Sequence, residues 1–315
     1  MAEKKFTAYG FLALLFWSTA SALSRTLSED LGIYTAAFLI HIISGSIAIT
    51  YTLIANGGFK QFKGISNSYW LVCGFFYALY VIMAYIAVGI ADTREQVMVV
   101  VLIKYLWPLL TLIFAIPVLK TRASPWLVIG ILLSLAGIVV ANLGSNVTDL
   151  ASFLQKLSGS VVPYILGFLA AIGWALFSDF SRKLAVGSEG GVGFFMLGTG
   201  LIMGFISLFV PEETTWSTST ISQLIYQAVI PSFLATLLWD AAMRKGKLII
   251  VLIASNFVPL LTIIVTALIL GQPLHPSILA GALLVVAGTT WSKRCFDSRV
   301  QVDTTNQATV VETRP

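Results

Sequence analysis

The chain has 315 residues, of which 57% are apolar and only 10% charged, against about 25% charged in soluble proteins. Its net charge of +5 comes from basic residues scattered through short segments, never gathered into a stripe, which argues against nucleic acid as the partner. Two cysteines, Cys73 and Cys295, are too few for a disulfide framework.

The charges separate apolar runs of about 20 residues, the length that crosses roughly 30 Å of hydrocarbon. Ten runs are predicted, over residues 8–27, 34–55, 68–90, 96–119, 125–142, 161–184, 193–211, 221–243, 248–270 and 276–295. Lipid leaves the backbone no outside partner, so each run is a helix. The expected class is an all-α integral membrane protein with ten transmembrane helices. Lys4-Lys5, the first run and Ala20-Ser21-Ala22 have the form of a signal peptide. The same run recurs at 167–184, where no signal peptide can be, so it is read as a retained span. The longest link, 143–160, is polar, with a short interfacial turn expected at 150–157. Residues 301–315 form a polar tail, expected to be disordered.

The apolar segments are written twice. At a shift of 151, Pro108-Leu109-Leu110-Thr111 falls on Pro259-Leu260-Leu261-Thr262, Pro125 on Pro276, Gly130 on Gly281 and Ala136-Gly137 on Ala287-Gly288. At a shift of 157, Gly10-Phe11-Leu12-Ala13 falls on Gly167-Phe168-Leu169-Ala170, Trp17 on Trp174 and Ser24-Arg25 on Ser181-Arg182. The division is therefore a first repeat over 1–145, a second over 146–295 and a tail over 296–315. Each repeat holds five spans. An odd number turns the second copy over in the membrane, giving the 5+5 inverted repeat found in transporters that expose a central site to either side alternately.

Lys and Arg sort by side. Fifteen fall on the side of the termini and three, Arg25, Arg94 and Lys156, on the other. The acids Glu29, Asp30, Asp92, Glu95, Glu212 and Glu213 also fall on that other side. The bias predicts cytoplasmic termini, and it would not survive one span missed or added.

Ten spans as five plus five, Pro-Leu-Leu-Thr opening the fourth and ninth, and Gly-x6-Gly in the fifth and tenth resemble the drug/metabolite transporter superfamily of EamA type. Trp17-Ser18-Thr19, Lys104-Tyr105-Leu106-Trp107-Pro108, Trp239-Asp240 and Asn256-x2-Pro259 are similar to the YddG-like aromatic amino acid exporters of bacterial inner membranes. The resemblance runs from about Thr7 to Arg294. It implies a multi-pass inner-membrane exporter of small amphiphilic metabolites, with aromatic amino acids the best match. Two departures stand out. Many relatives carry Gly-Glu after the fourth and ninth spans, where this chain has Leu119-Lys120 and Gly271-Gln272. The Glu that small multidrug members carry in the first span is missing.

Lys104 is the sharpest single residue. An ammonium in mid-span costs about 2.5–3.5 kcal/mol on insertion scales, so it must face a cavity or a partner. It lies on the helical face of Pro108, which withholds one backbone donor and frees a carbonyl near residue 104. Lys104 either meets a substrate carboxylate or pairs with Ser and Asn groups between the repeats. Tyr77, Tyr80 and Ala84 share one face, Trp17 and Trp174 are repeat partners, and Trp107 and Trp239 complete an aromatic set. Such a set stacks on a flat substrate or attracts an organic cation; ordinary packing is the competing explanation. Asn256, with Ser18, Ser21, Ser178 and Thr262, would bind an amino acid's polar groups or hold helices together. Pro108 and Pro259 are the expected helix breaks. His41 is expected to be a satisfied buried histidine.

Asp179 and Asp240 have Arg182, Lys183 and Arg244 at i+3 or i+4, spacings that make local ion pairs. A proton-coupled antiporter would want a titratable carboxylate at mid-membrane, and none is expected here, which favours a facilitator. No catalytic set, metal cluster or phosphate loop is legible, so no enzyme activity, cofactor or metal is expected. The expected partners are a small-molecule substrate and the bilayer, with the chain a monomer or homodimer. The rivals are a proton-driven multidrug or organic-cation exporter, and a membrane scaffold or signalling protein that transports nothing.

Overall fold

The computed structural model describes residues 2–55, 58, 62, 65–143, 161–184, 191–245, 254–255 and 257–295. The fold is all-helical: α1 (Ala2–Leu31), α2 (Ile33–Ala55), a π-helical turn (Tyr69–Cys73) running into α3 (Gly74–Gly89), α4 (Arg94–Lys104), α5 (Trp107–Leu119) and α6 (Leu127–Leu143). After these come α7 (Val162–Leu184), α8 (Val192–Ser207), α9 (Thr218–Gln227), a second π-helical stretch (Ala228–Leu234) leading into α10 (Ala235–Lys245), α11 (Val258–Ile269) and α12 (Pro276–Arg294). Among the described residues, six helical segments are long and apolar enough to cross a membrane, and three shorter apolar helices join them. The interfacial turn expected at 150–157 and the tail at 301–315 lie outside the described residues.

Two helices start where the sequence supplies a cap. Thr93 accepts a hydrogen bond from the backbone N–H of Gln96, and Ser217 accepts one from Thr220. Both caps stand at the acid-rich end, where other ties close the structure. Arg25 donates to the carbonyls of Val88, Gly89 and Ala91 at 2.8–2.9 Å and so satisfies the open end of α3. Glu29 accepts from Arg25 and from Arg94, and Arg94 reaches the Leu270 carbonyl at the end of α11. Glu212 caps α2 from the far loop through the N–H groups of Tyr34 and Thr35. Gly32 turns the chain between α1 and α2 at φ +84, directly over Glu212. A side chain there would meet both obstacles, the left-handed backbone and the carboxylate.

Helices distant in sequence pack as pairs. α1 lies on α10 and α11, α2 on α8, α3 on α7, α5 on α7, and α6 on α12. The α6–α12 crossing is the tightest. A Cβ on Gly130 would stand 2.6 Å from the Gly288 carbonyl oxygen, and one on Gly137 would stand 2.6 Å from that of Gly281. The reverse substitutions meet the same backbones. The contact is reciprocal: the first glycine of each helix faces the second glycine of the other. Small residues that let backbones touch are the main means of helix association in lipid.

Gly137→Val should therefore cost about 1–3 kcal/mol or more through overpacking, read as a lower unfolding midpoint in detergent. Gly198→Ala, with nothing within 4 Å of its Cβ, should leave the midpoint unchanged.

Candidate functional site

The run predicted over 96–119 is not one helix. α4 stops at Lys104, Tyr105 and Leu106 form a turn, and α5 restarts at Trp107 with Pro108 in its first turn. Pro108 has no N–H for the Lys104 carbonyl, so the ladder is handed over through Tyr105 N–H to Val101, Leu106 N–H to Ile103 and Leu110 N–H to Leu106. Pro259 sits in the same place at the start of α11, where Phe257 N–H bonds Ala254 and Leu261 N–H bonds Phe257. Pro108 and Pro259 thus each stand in the first turn of a helix. The Tyr105 hydroxyl accepts a hydrogen bond from Thr262 at 2.9 Å, joining one break to the helix that follows the other.

At the first break lies a cavity of about 490 Å³. Lys104 enters it from the end of α4, where the negative end of the helix dipole favours a cation. Its Nζ donates to Ser21 Oγ of α1 at 2.7 Å and stands 5.5 Å from the Tyr105 ring centre. Lys104 is in neither of the ion pairs that join Arg25 and Arg94 to Glu29. Among the described residues, no Asp, Glu or Arg lines the cavity, and Lys104 is its one charged side chain.

Aromatic rings form the walls. Trp174 is the centre of one wall, 4.7 Å from Tyr80, 6.5 Å from Tyr77 and 6.2 Å from Trp107, centroid to centroid. Trp17 and Trp239 form the other, 5.2 Å apart. Lys104, Trp17, Tyr77, Tyr80, Trp107, Trp174 and Trp239 thus all line one space. Trp17 and Trp174, matched in sequence, belong to different ring groups. Asn256 lies outside the described residues. Pro108 and Pro259 do not line the cavity.

The hydroxyls divide. Ser21 holds Lys104, and Ser178, bonded to the Trp174 carbonyl, lines the cavity. Ser18 bonds the Leu15 carbonyl, and Thr262 is spent on Tyr105; neither lines the space. His41 lines the cavity while its Nδ1–H bonds the Ala37 carbonyl at 2.9 Å. Gln227 lines the cavity and was not singled out from the sequence. It is an isolated polar side chain in an apolar run, and only the pairing of distant helices brings it to the cavity.

One expectation is corrected. Asp179 does not pair with Arg182 or Lys183. It is 0% exposed and both carboxylate oxygens are without a hydrogen-bond partner. It follows Ala171 and Ala175 on the face of α7 that packs into the core with α5, so it points inward while Arg182 leaves the bundle. Asp179 does not line the cavity. The side chains of Asp240 and Arg244 lie outside the described residues.

The sequence pattern of the EamA-like transporter family matches the chain twice, over residues 5–143 and 161–293. The chain is 31% identical over 291 residues to the aromatic amino acid exporter YddG of Escherichia coli (strain K12), covering 92% of this chain and 97% of that one. It is 28% identical over 290 residues to the aromatic amino acid exporter YddG of Salmonella typhimurium, with the same coverage. A solved crystal structure superposes with a TM-score of 0.65 at 22% identity, covering 92% of this chain and 97% of that one. At that identity the likeness is one of fold.

The Tyr105–Thr262 bond should be measurable by a double-mutant cycle. Tyr105→Phe and Thr262→Val should each destabilise the protein by about 1 kcal/mol, and the double variant by little more than either. Unfolding in detergent reads all three.

Proposed function

The chain belongs to the EamA-like transporter family, and from that premise we propose that it exports aromatic amino acids through the Lys104 cavity by alternating access. It is a multi-pass membrane transporter, not an enzyme. The observation that carries the substrate is the pairing of one unneutralised ammonium with two groups of rings lining the same cavity. The ammonium meets a carboxylate, and the rings hold a flat side chain by stacking. The restart of α5 beside Lys104 adds the positive end of a broken helix, an arrangement that transporters aim at substrate carboxylates. The relatives' own substrates, as their names give them, support the same class.

The architecture we infer is ten spans in two inverted repeats, 1–145 and 146–295, with both termini in the cytoplasm of a bacterial inner membrane. Supporting it are the doubled family match, the charge bias and the helix pairs. Exchanging each helix for its counterpart in the other copy turns the α1–α10 pair into α7–α3 and α1–α11 into α7–α5, and leaves α2–α8 and α6–α12 unchanged. That is the pattern of a two-fold axis.

Because no carboxylate lines the cavity among the described residues, the simplest cycle is facilitated export down the substrate gradient. The buried, unpartnered Asp179 favours a second reading, proton-driven export, since a carboxylate without donors is stable there only when protonated. An organic-cation substrate is disfavoured by the Lys104 charge.

In proteoliposomes, phenylalanine counterflow should saturate and ignore an imposed pH gradient, and Lys104→Met should raise its KM about tenfold or more. Uphill transport driven by the gradient and lost in Asp179→Asn, with counterflow retained, would establish the second reading instead. Unchanged KM in Lys104→Met would remove the lysine from the substrate site.

A further inference from the structure

One turn of α1 beyond Ser21, the cavity has a second polar end. Ser24 stands there, facing Gln227 where α9 runs into its π-helical stretch. The Gln227 amide donates to the Ala20 carbonyl at 3.3 Å and to Ser24 Oγ at 3.4 Å. That commitment fixes the amide's direction, because turning it over would set its oxygen against the Ala20 carbonyl. Oε1 is left buried with no partner, on a residue only 2% exposed. Buried acceptors are rarely left so. Tyr85 lines the same cavity and meets the edge of His41 at 5.3 Å. His41 is 5% exposed. Its Nδ1 must carry the proton it gives to Ala37, so the neutral ring keeps Nε2 as a bare acceptor.

We propose that Gln227 and His41 form the ammonium-reading end of the cavity, so that the site selects α-amino acids over analogues lacking the amino group. The inference rests on the reading of the cavity as an amino acid site. The spacing suits it. Residues three apart on a helix stand about 5–6 Å apart, so a zwitterion's adjacent carboxylate and ammonium fit between the Ser21 and Ser24 levels. The chemistry suits it as well. A carboxylate at the second end would pair with Lys104 and quench it. Neutral acceptors bind an ammonium and leave the lysine free for the substrate. The Ala20 carbonyl behind Gln227 and the Ala37 carbonyl behind His41 accept from Nε2 and Nδ1, and so hold each group by its other atom.

The test is competition against labelled phenylalanine counterflow in proteoliposomes, with unlabelled phenylalanine and with 3-phenylpropionate, which lacks the ammonium. Gln227→Leu should raise the half-inhibitory concentration of phenylalanine about tenfold, the loss expected for a hydrogen bond to a charged group. That of 3-phenylpropionate should stay within about twofold, because it never used the acceptor. Equal weakening of phenylalanine and 3-phenylpropionate in Gln227→Leu, or no change in either, overturns the assignment. If the wild type shows no saturable phenylalanine exchange, the amino acid reading fails and this one with it. Exchange with discrimination untouched by Gln227→Leu overturns the ammonium end alone.

Discussion

The break in the backbone ladder at Pro108 is the constraint on which the site depends. A helix in lipid satisfies its own polar groups, and proline makes one residue's carbonyl an exception. The structure spends that exception on ending α4 at Lys104 and restarting at Trp107. The ammonium then lies at a helix C-terminus, near the dipole's negative end, with Ser21 as its hydrogen-bond partner. An unbroken helix would carry the same lysine on its side, without the helix end or the open backbone. Tyr105, in the turn itself, ties the break to α11 through Thr262, so the gap is held at a fixed width.

Around this point the protein separates two kinds of contact. Where helices only need to associate, backbones touch through glycine, as α6 and α12 do at Gly130–Gly288 and Gly137–Gly281. Where space is kept, large rings stand at 4.7–6.5 Å from one another and leave room between the walls. The polar groups of the cavity are mostly spent once: Lys104 on Ser21, His41 Nδ1 on Ala37, Gln227 Nε2 on Ala20. What remains unspent is what a ligand can use. Asp179 is the contrast, a carboxylate with nothing spent and no access to the cavity.

The acid-rich end follows another rule. Arg25, Glu29 and Arg94 join α1, the end of α3, the start of α4 and the end of α11 in one network. Exposed ion pairs are weak one at a time, but these guanidinium groups also bond the carbonyls that helix ends leave open. The network therefore closes helix termini and crosses between distant segments with the same atoms.

Much of this was legible in the sequence, because lipid restricts the choices. Run length and the lack of an outside hydrogen-bond partner determine helices, and proline determines where two of them break. The Gly-x6-Gly spacing was visible in the fifth and tenth runs, though not the crossing it makes, and the cost of a mid-span charge required that Lys104 face a cavity or a partner. The aromatic candidates of the first and second copies could be named from their shared faces and matched positions. Which walls they occupy was decided by tertiary pairing, since Trp17 meets Trp239 and Trp174 meets Tyr80 only when helices more than ninety residues apart come together. Asp179 shows the limit most clearly. Spacing on one helix offers Arg182 and Lys183 as partners, but the rotation of α7 is set by Ala171 and Ala175 packing into the core with α5, and that rotation turns the carboxylate inward. Gln227 is the same case in reverse. Local sequence makes it an unremarked polar residue, and the approach of α9 to α1 brings it to the cavity with its oxygen buried and unpartnered. Sequence fixes what each segment must be in lipid; the rotation of one helix against another decides which side chains share a space.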